Sequence, residues 1–134
     1  MSESQTPTKG FKIFHWVAVV FLFLIMAQPT FDNVTALMTG TLGSGDVTVE
    51  VTLSQMALHV VAMIVGWVGF FWFVKRQKRG AYVSIVAHVL GLTAVLTQTP
   101  ELLKMMPMAA LVGFFVLLLG FALGPVLLFK EQYT

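Results

Sequence analysis

The 134-residue sequence contains no cysteine and few charged residues. The lack of cysteine excludes disulfides, thiolate nucleophiles and cysteine-ligated metals or clusters. Charged residues make up 10% of the chain and hydrophobic residues 57%, whereas roughly 25% of the residues in a soluble domain are charged. This composition predicts an integral membrane protein with no room for a soluble catalytic domain.

The apolar residues are grouped into four runs. A membrane-spanning helix needs about 20 apolar residues, and each run reaches or approaches that length. We therefore predict a single all-α membrane domain, a four-helix bundle with helices at approximately 11–28, 53–74, 81–98 and 105–129. The first helix is expected to end at Gln28 because Pro29 follows, and proline interrupts a helix.

Residues 29–52 are predicted to form an outer loop. Its charged residues are all acidic: Asp32, Asp46 and Glu50. Residues 47–51 alternate between apolar and polar after a glycine-rich turn, a pattern that indicates a small β-hairpin. Thr52 and Gln55 have the spacing of a capping box, so the second helix is expected to start there.

A second helix start is indicated between the third and fourth runs. Thr99 has the side chain of an N-cap residue, and Pro100 suits the first helical position. Residues 102–106 are expected to form a short interfacial turn. Pro107 then marks either a kink or the start of the fourth helix.

Basic residues are concentrated between the second and third runs, at Lys75, Arg76, Lys78 and Arg79. Such clusters face the cytoplasm under the positive-inside rule. With Lys9, Lys12 and Lys130, seven of the eight basic residues fall on that side, and only Lys104 falls on the other. We predict an N-in/C-in protein of the bacterial inner membrane. Topology accounts for the basic residues, so nucleic acid is not an expected partner.

Small residues recur on one face of several runs. In the fourth run they are Ala109, Gly113, Gly120 and Gly124. These four fall within about 60° of one another at 100° per residue. Gly66 and Gly91 lie on comparable faces of the second and third runs. Close approach drives helix association in lipid, so we expect these faces to meet within the bundle. The alternative is a seam with another copy or another subunit.

Three histidines are the only ionisable side chains within the predicted spans: His15, His59 and His88. The lack of an embedded carboxylate or amine argues against a proton-coupled transporter or ion pump. The histidines could be neutral hydrogen-bonding groups, haem ligands, or part of a quinone or proton-handling site. At ~1.5 Å per residue, His15, His88 and His59 lie about 5, 14 and 24 Å from the nearest basic residue. No two are expected at the same depth.

The opening of the first run, Phe11-Lys12-Ile13-Phe14-His15-Trp16, resembles that of bacterial cytochrome b561-type membrane proteins, in which a basic residue precedes a His-Trp pair. The resemblance extends to His59, in a second helix closed by basic residues, and to His88 in the third. It implies a four-helix bundle that binds haem b, with His15 and His59 as the ligands that match. The fourth helix supplies haem ligands in that family and contains no histidine here.

We expect a small accessory or structural subunit of a larger respiratory or photosynthetic membrane complex. Such a subunit would have no catalytic residues, metal or cofactor of its own. It would contact the lipid bilayer and other membrane subunits, or a second copy of itself, through its small-residue faces. The alternative is an electron-transfer subunit with a b-type haem or quinone site, where His15, His59 and His88 would bind the cofactor.

Overall fold

The computed structural model describes residues 6–44 and 46–134, which form four long helices and a two-stranded hairpin. The helices are α1 (Lys9–Thr39), α2 (Leu53–Val74), α3 (Lys78–Gln98) and α4 (Met108–Leu128). Strands β1 (Thr41–Ser44) and β2 (Val47–Glu50) pair antiparallel between α1 and α2. Two short 3₁₀ helices, Pro100–Met105 and Lys130–Gln132, flank α4. All four α-helices are long and apolar enough to cross a membrane.

The four helices form an up-and-down bundle in which each packs against its neighbours in the sequence, and α4 closes the ring against α1. The most extensive contact joins α2 and α3. Gly69 makes it possible, because a Cβ there would lie 2.7 Å from the backbone nitrogen of Ser84. Arg76 adopts a left-handed φ of 59° in the tight turn between these helices. The predicted four-helix architecture and the hairpin are confirmed.

The two ends of the bundle differ in charge. The basic end is where α1 and α3 begin and where α2 and α4 end, and it carries Lys9, Lys12, Lys75, Arg76, Lys78, Arg79 and Lys130. The chain terminus is fixed there, since the Thr134 N–H donates to the Arg76 carbonyl at 2.9 Å and the Lys78 N–H donates to the Thr134 carbonyl at 2.8 Å. The opposite end, the hairpin end, contains the two strands and the 3₁₀ helix Pro100–Met105.

Helix α1 continues through Pro29, so the predicted end at residue 28 is wrong. Proline leaves one carbonyl of the preceding turn without its backbone donor. Two side-chain hydrogen bonds support the helix at this point. The Thr30 hydroxyl donates to the Met26 carbonyl at 2.6 Å, and the Trp67 indole N–H of α2 donates to the Thr30 hydroxyl oxygen at 2.8 Å. The contact with α2 therefore stabilises α1 beyond Pro29, although a proline usually ends a helix.

The true end of α1 is set by Gly40. This residue has a left-handed φ of 75° and donates its N–H to the Ala36 carbonyl at 2.8 Å, as expected for a C-terminal glycine cap. The last turns of α1 are held by an apolar cluster with the hairpin and α2, formed by Ala36, Leu42 and Met56. Residues 29–52 are thus partly helix and partly hairpin, and not a loop.

The predicted capping box at the start of α2 is present. The Gln55 N–H donates to Thr52 Oγ1 at 3.3 Å, and the Thr52 N–H donates to Gln55 Oε1 at 2.9 Å. Thr99, by contrast, makes no side-chain cap bond to the 3₁₀ helix that follows it. Its hydroxyl contacts a histidine on α2, so the predicted N-cap role is wrong.

We predict that Thr30→Val destabilises the bundle, since valine has a similar shape but removes both hydrogen bonds at Pro29. The expected loss is on the order of 1 kcal/mol, because the Trp67 N–H is left without its partner in apolar surroundings. Thermal unfolding of the purified chain in detergent measures the change. Thr93→Val is the matched control, since the exposed Thr93 hydroxyl bonds only to a carbonyl of its own helix. Equal losses in both variants would contradict the assigned role of Thr30.

Candidate functional site

A cavity of about 640 Å³ lies inside the bundle, towards the hairpin end. Its volume is within the range of small-molecule sites, roughly 300–1,000 Å³. All four helices contribute to its wall, which is largely apolar and includes Leu24, Met63, Leu92 and Phe115. Leu42 of the hairpin and Leu102 of the 3₁₀ helix line it at the hairpin end. The space could hold an apolar molecule of moderate size.

Two of the three predicted site histidines line this cavity, His59 from α2 and His88 from α3. At ~1.5 Å per residue, His59 lies about 9 Å from the start of α2, and His88 lies about 15 Å from the end of α3. Both histidines therefore line the cavity, but at different depths along the bundle. His15 is not part of it.

The His88 ring is held by its own helix and by α4. Its Nδ1 lies 2.7 Å from the Ser84 carbonyl oxygen. Because a carbonyl can only accept, Nδ1 is assigned the proton of the neutral ring, which leaves Nε2 as a hydrogen-bond acceptor. The ring centroids of His88 and Phe114 are 5.7 Å apart. His88 thus lies in the wall of the cavity with its Nδ1 proton used by its own helix and with Nε2 left as its acceptor.

His59 is tied to the hairpin end of the structure. Its Nε2 lies 3.3 Å from the hydroxyl oxygen of Thr99, and both side chains are buried. This bond joins α2 to the segment that leads into the 3₁₀ helix, and it explains why Thr99 does not cap that helix. His59 therefore has a structural partner as well as a position on the cavity wall.

Polar side chains from the middle of α1 complete the cavity: Gln28, Asp32 and Asn33. The Gln28 amide nitrogen donates to Asp32 Oδ1 at 3.0 Å. Sequence reasoning missed these residues because it assigned Asp32 and Asn33 to a loop. The available signal was the four-residue spacing of Gln28 and Asp32, which favours a shared helix face.

His15 lies at the basic end, in an aromatic cluster. Its ring stacks on Phe11 and Phe73, with centroid distances of 5.4 and 5.2 Å. Its Nδ1 lies 2.6 Å from the Tyr133 hydroxyl. Burial raises the pKa of Tyr133 while the charge of Arg76 opposes the shift, so the phenol stays protonated. The tautomer of His15 decides whether the hydroxyl donates to Nδ1 or accepts from it. No sequence pattern had pointed to Tyr133.

The haem-ligand pair that the resemblance implies does not share one site, because His59 lines the cavity and His15 does not. His15 stacks on Phe11 and Phe73, and its Nδ1 contacts Tyr133. His59 has its Nε2 engaged by Thr99. None of the described lining residues is Lys or Arg, so the cavity offers no cation to pair with haem propionates. Within residues 6–44 and 46–134, no three His, Asp or Glu side chains are grouped to hold a metal ion.

The predicted packing glycines occupy three kinds of environment. Gly66 and Gly124 lie at contacts within the bundle, where an added Cβ would come 2.5 Å from Met26 Cε and 3.2 Å from the Phe14 ring, respectively. At Gly91, which lines the cavity, an added Cβ would meet no atom within 4 Å. Gly91 therefore leaves space for a ligand and not for a helix.

Gly113 and Gly120 lie on the exposed surface of α4. An added Cβ at either position meets no atom within 4 Å, and Ala109 is exposed as well. The packing expected within the bundle is therefore not formed through these residues. Their contact with another chain stays a prediction.

We predict that Tyr133→Phe loosens the segment around residue 133 and lowers stability by about 1 kcal/mol, because it removes the hydroxyl that hydrogen-bonds to the buried His15 ring. Carboxypeptidase digestion and thermal unfolding in detergent measure the two effects. The other tyrosine of the chain, Tyr82, is exposed on α3, so Tyr82→Phe is the matched control. Identical behaviour of the two variants would show that the bond to His15 contributes nothing.

Comparison with known proteins gives no assignment: no protein-family model, no curated protein and no solved structure matches the chain. Functional inference therefore depends on the geometry of the cavity, the two bundle ends and the helix surfaces.

Proposed function

We propose that this chain is a small accessory subunit of a larger membrane complex, of the respiratory or photosynthetic type, and that it associates with other subunits through α4. The observation that carries the proposal is the exposed small-residue face of this helix. We define this α4 face by Ala109, Gly113 and Gly120, which are all exposed. At either glycine, an added Cβ would meet no atom of the described residues within 4 Å.

The composition of the α4 face is unfavourable for an isolated helix. Glycine in a helix interior costs about 1 kcal/mol relative to alanine, and here no contact within the chain uses the space that Gly113 and Gly120 leave. The two residues are seven apart, which places them on one face two turns from each other. In lipid, such spacing allows a second helix to approach the backbone closely. A neighbouring subunit is the proposed occupant, and a second copy is the alternative.

We also propose that the bundle is inserted in a bacterial inner membrane with both termini in the cytoplasm. Supporting this are the four long apolar helices and the seven basic residues at the basic end. The hairpin end carries Asp46, Glu50 and Glu101 against the single Lys104. Under the positive-inside rule, this difference favours a cytoplasmic basic end.

Single-cysteine labelling tests the orientation, because the natural chain has no cysteine. We expect Lys78→Cys to react with a membrane-impermeant maleimide only from the cytoplasmic side and Asp46→Cys only from the periplasmic side. Ala122→Cys, buried within α4, is the unreactive control in intact membranes. Labelling of positions 78 and 46 from the same side would contradict the four-span arrangement.

Substitution of Gly120 tests the α4 face. We expect Gly120→Ile to reduce the size of the native assembly on a native gel, since a β-branched side chain holds the partner helix away. The stability of the isolated chain should not fall, because the added atoms meet no atom of the bundle. Leu119→Ile, at an exposed position on another side of α4, should leave the assembly unchanged. An unaltered assembly in Gly120→Ile would show that this face contacts lipid.

A further inference from the structure

We propose that the cavity towards the hairpin end binds a neutral, membrane-soluble molecule with an apolar body and a hydroxyl-bearing ring, that is, a molecule of the hydroquinone class. This site is separate from the α4 face, and it does not depend on the accessory role. The inference follows from the position of the cavity, the hydrogen-bonding character of its polar groups and their charge.

The position and walls of the cavity determine the polarity of most of the ligand. The space of about 640 Å³ lies between helices that are long and apolar enough to span a membrane. Side chains such as Leu24, Met63 and Leu92 line it. A molecule dissolved in the bilayer gains contact with these side chains at little desolvation cost, whereas a polar metabolite would lose its hydration. The ligand is therefore apolar over most of its surface.

The polar groups of the cavity determine which hydrogen-bonding groups the ligand carries. His88 presents Nε2 as an acceptor because its Nδ1 proton is directed to the Ser84 carbonyl. Asp32 is acceptor-only when ionised, and its carboxylate already accepts from Gln28 at one oxygen. Asn33 can either donate or accept. Two of these groups, His88 Nε2 and the Asp32 carboxylate, only accept, so the cavity is better matched to a ligand that donates from hydroxyl groups than to one that only accepts.

The aromatic residues in the cavity wall favour a ligand with a flat ring near these acceptors. Phe114 packs against His88, and Phe115 also lines the cavity. Aromatic side chains bind a flat ring through offset or edge-to-face contacts. A hydroquinone has both features, since it combines a flat ring with two hydroxyl donors on opposite sides.

Charge excludes the other common membrane ligands. Asp32 is the charged side chain that faces the cavity, and the described lining residues include no Lys or Arg. A fatty acid, a phospholipid phosphate or a haem propionate would meet a carboxylate without a compensating cation. The site is therefore matched to a neutral ligand.

Binding of short-tailed ligands to the purified full chain in detergent tests the proposal. Isothermal titration calorimetry under argon would compare decylubiquinol, decylubiquinone and decanol. We expect decylubiquinol to bind at least roughly tenfold more tightly than decylubiquinone, whose ring carbonyls accept only and leave His88 and Asp32 unpaired. Equal affinities for the reduced and oxidised forms would overturn the proposal. Binding of decanol as tight as that of decylubiquinol would overturn the requirement for a ring.

Two cavity variants and one matched control locate the binding. Gly91→Leu should abolish binding, because its side chain enters the cavity from a position where a Cβ meets no atom within 4 Å. Gly10→Leu introduces the same side chain at an equally open position of α1 outside the cavity, and it should bind as the natural chain does. His88→Leu should reduce the preference for the reduced form. Unchanged binding in Gly91→Leu, or an unchanged preference in His88→Leu, would overturn the assignment.

Discussion

The contact of Thr30 on α1 with Trp67 on α2 governs the hairpin half of this structure. Pro29 removes the backbone donor to the Ile25 carbonyl and so weakens α1 at this point. The hydrogen bonds from Trp67 to Thr30 and from Thr30 to Met26 reinforce the helix at the next residue. They also fix α1 against α2, so the helix can continue to Gly40 and place the hairpin against Met56.

The continuation of α1 also determines what the cavity contains. If the helix ended at residue 28, Asp32 and Asn33 would belong to a solvated loop, and the polar side chains of α1 in the cavity wall would be reduced to Gln28. In the structure, these polar residues join the wall on which His59 and His88 lie. The hydrogen-bonding selectivity of the cavity thus depends on a tertiary contact that is located at Thr30.

The sequence was informative where local chemistry decides the structure. The four apolar runs, the alternation at residues 47–51 and the spacing of Thr52 and Gln55 predicted the number of long helices, the hairpin and the capping box correctly. It was misleading at Pro29 because Trp67, which reinforces the helix there through Thr30, lies 37 residues from Thr30 in the sequence. It could not show that His59 and His88 share a cavity or that Tyr133 reaches His15, since these pairings depend on how the helices face one another.

Helix α4 connects the two proposed roles through its opposite faces. Leu111 and Phe114 line the cavity, whereas Gly113 and Gly120 are directed away from the bundle. Consecutive residues on a helix differ by about 100°, so Gly113 and Phe114 belong to different surfaces although they are adjacent in sequence. A subunit that packs on the α4 face would therefore cover the back of the cavity wall without entering the cavity. The association proposed for α4 is compatible with a ligand held in the cavity beside Phe114 and His88, because neither contact uses the atoms that the other requires.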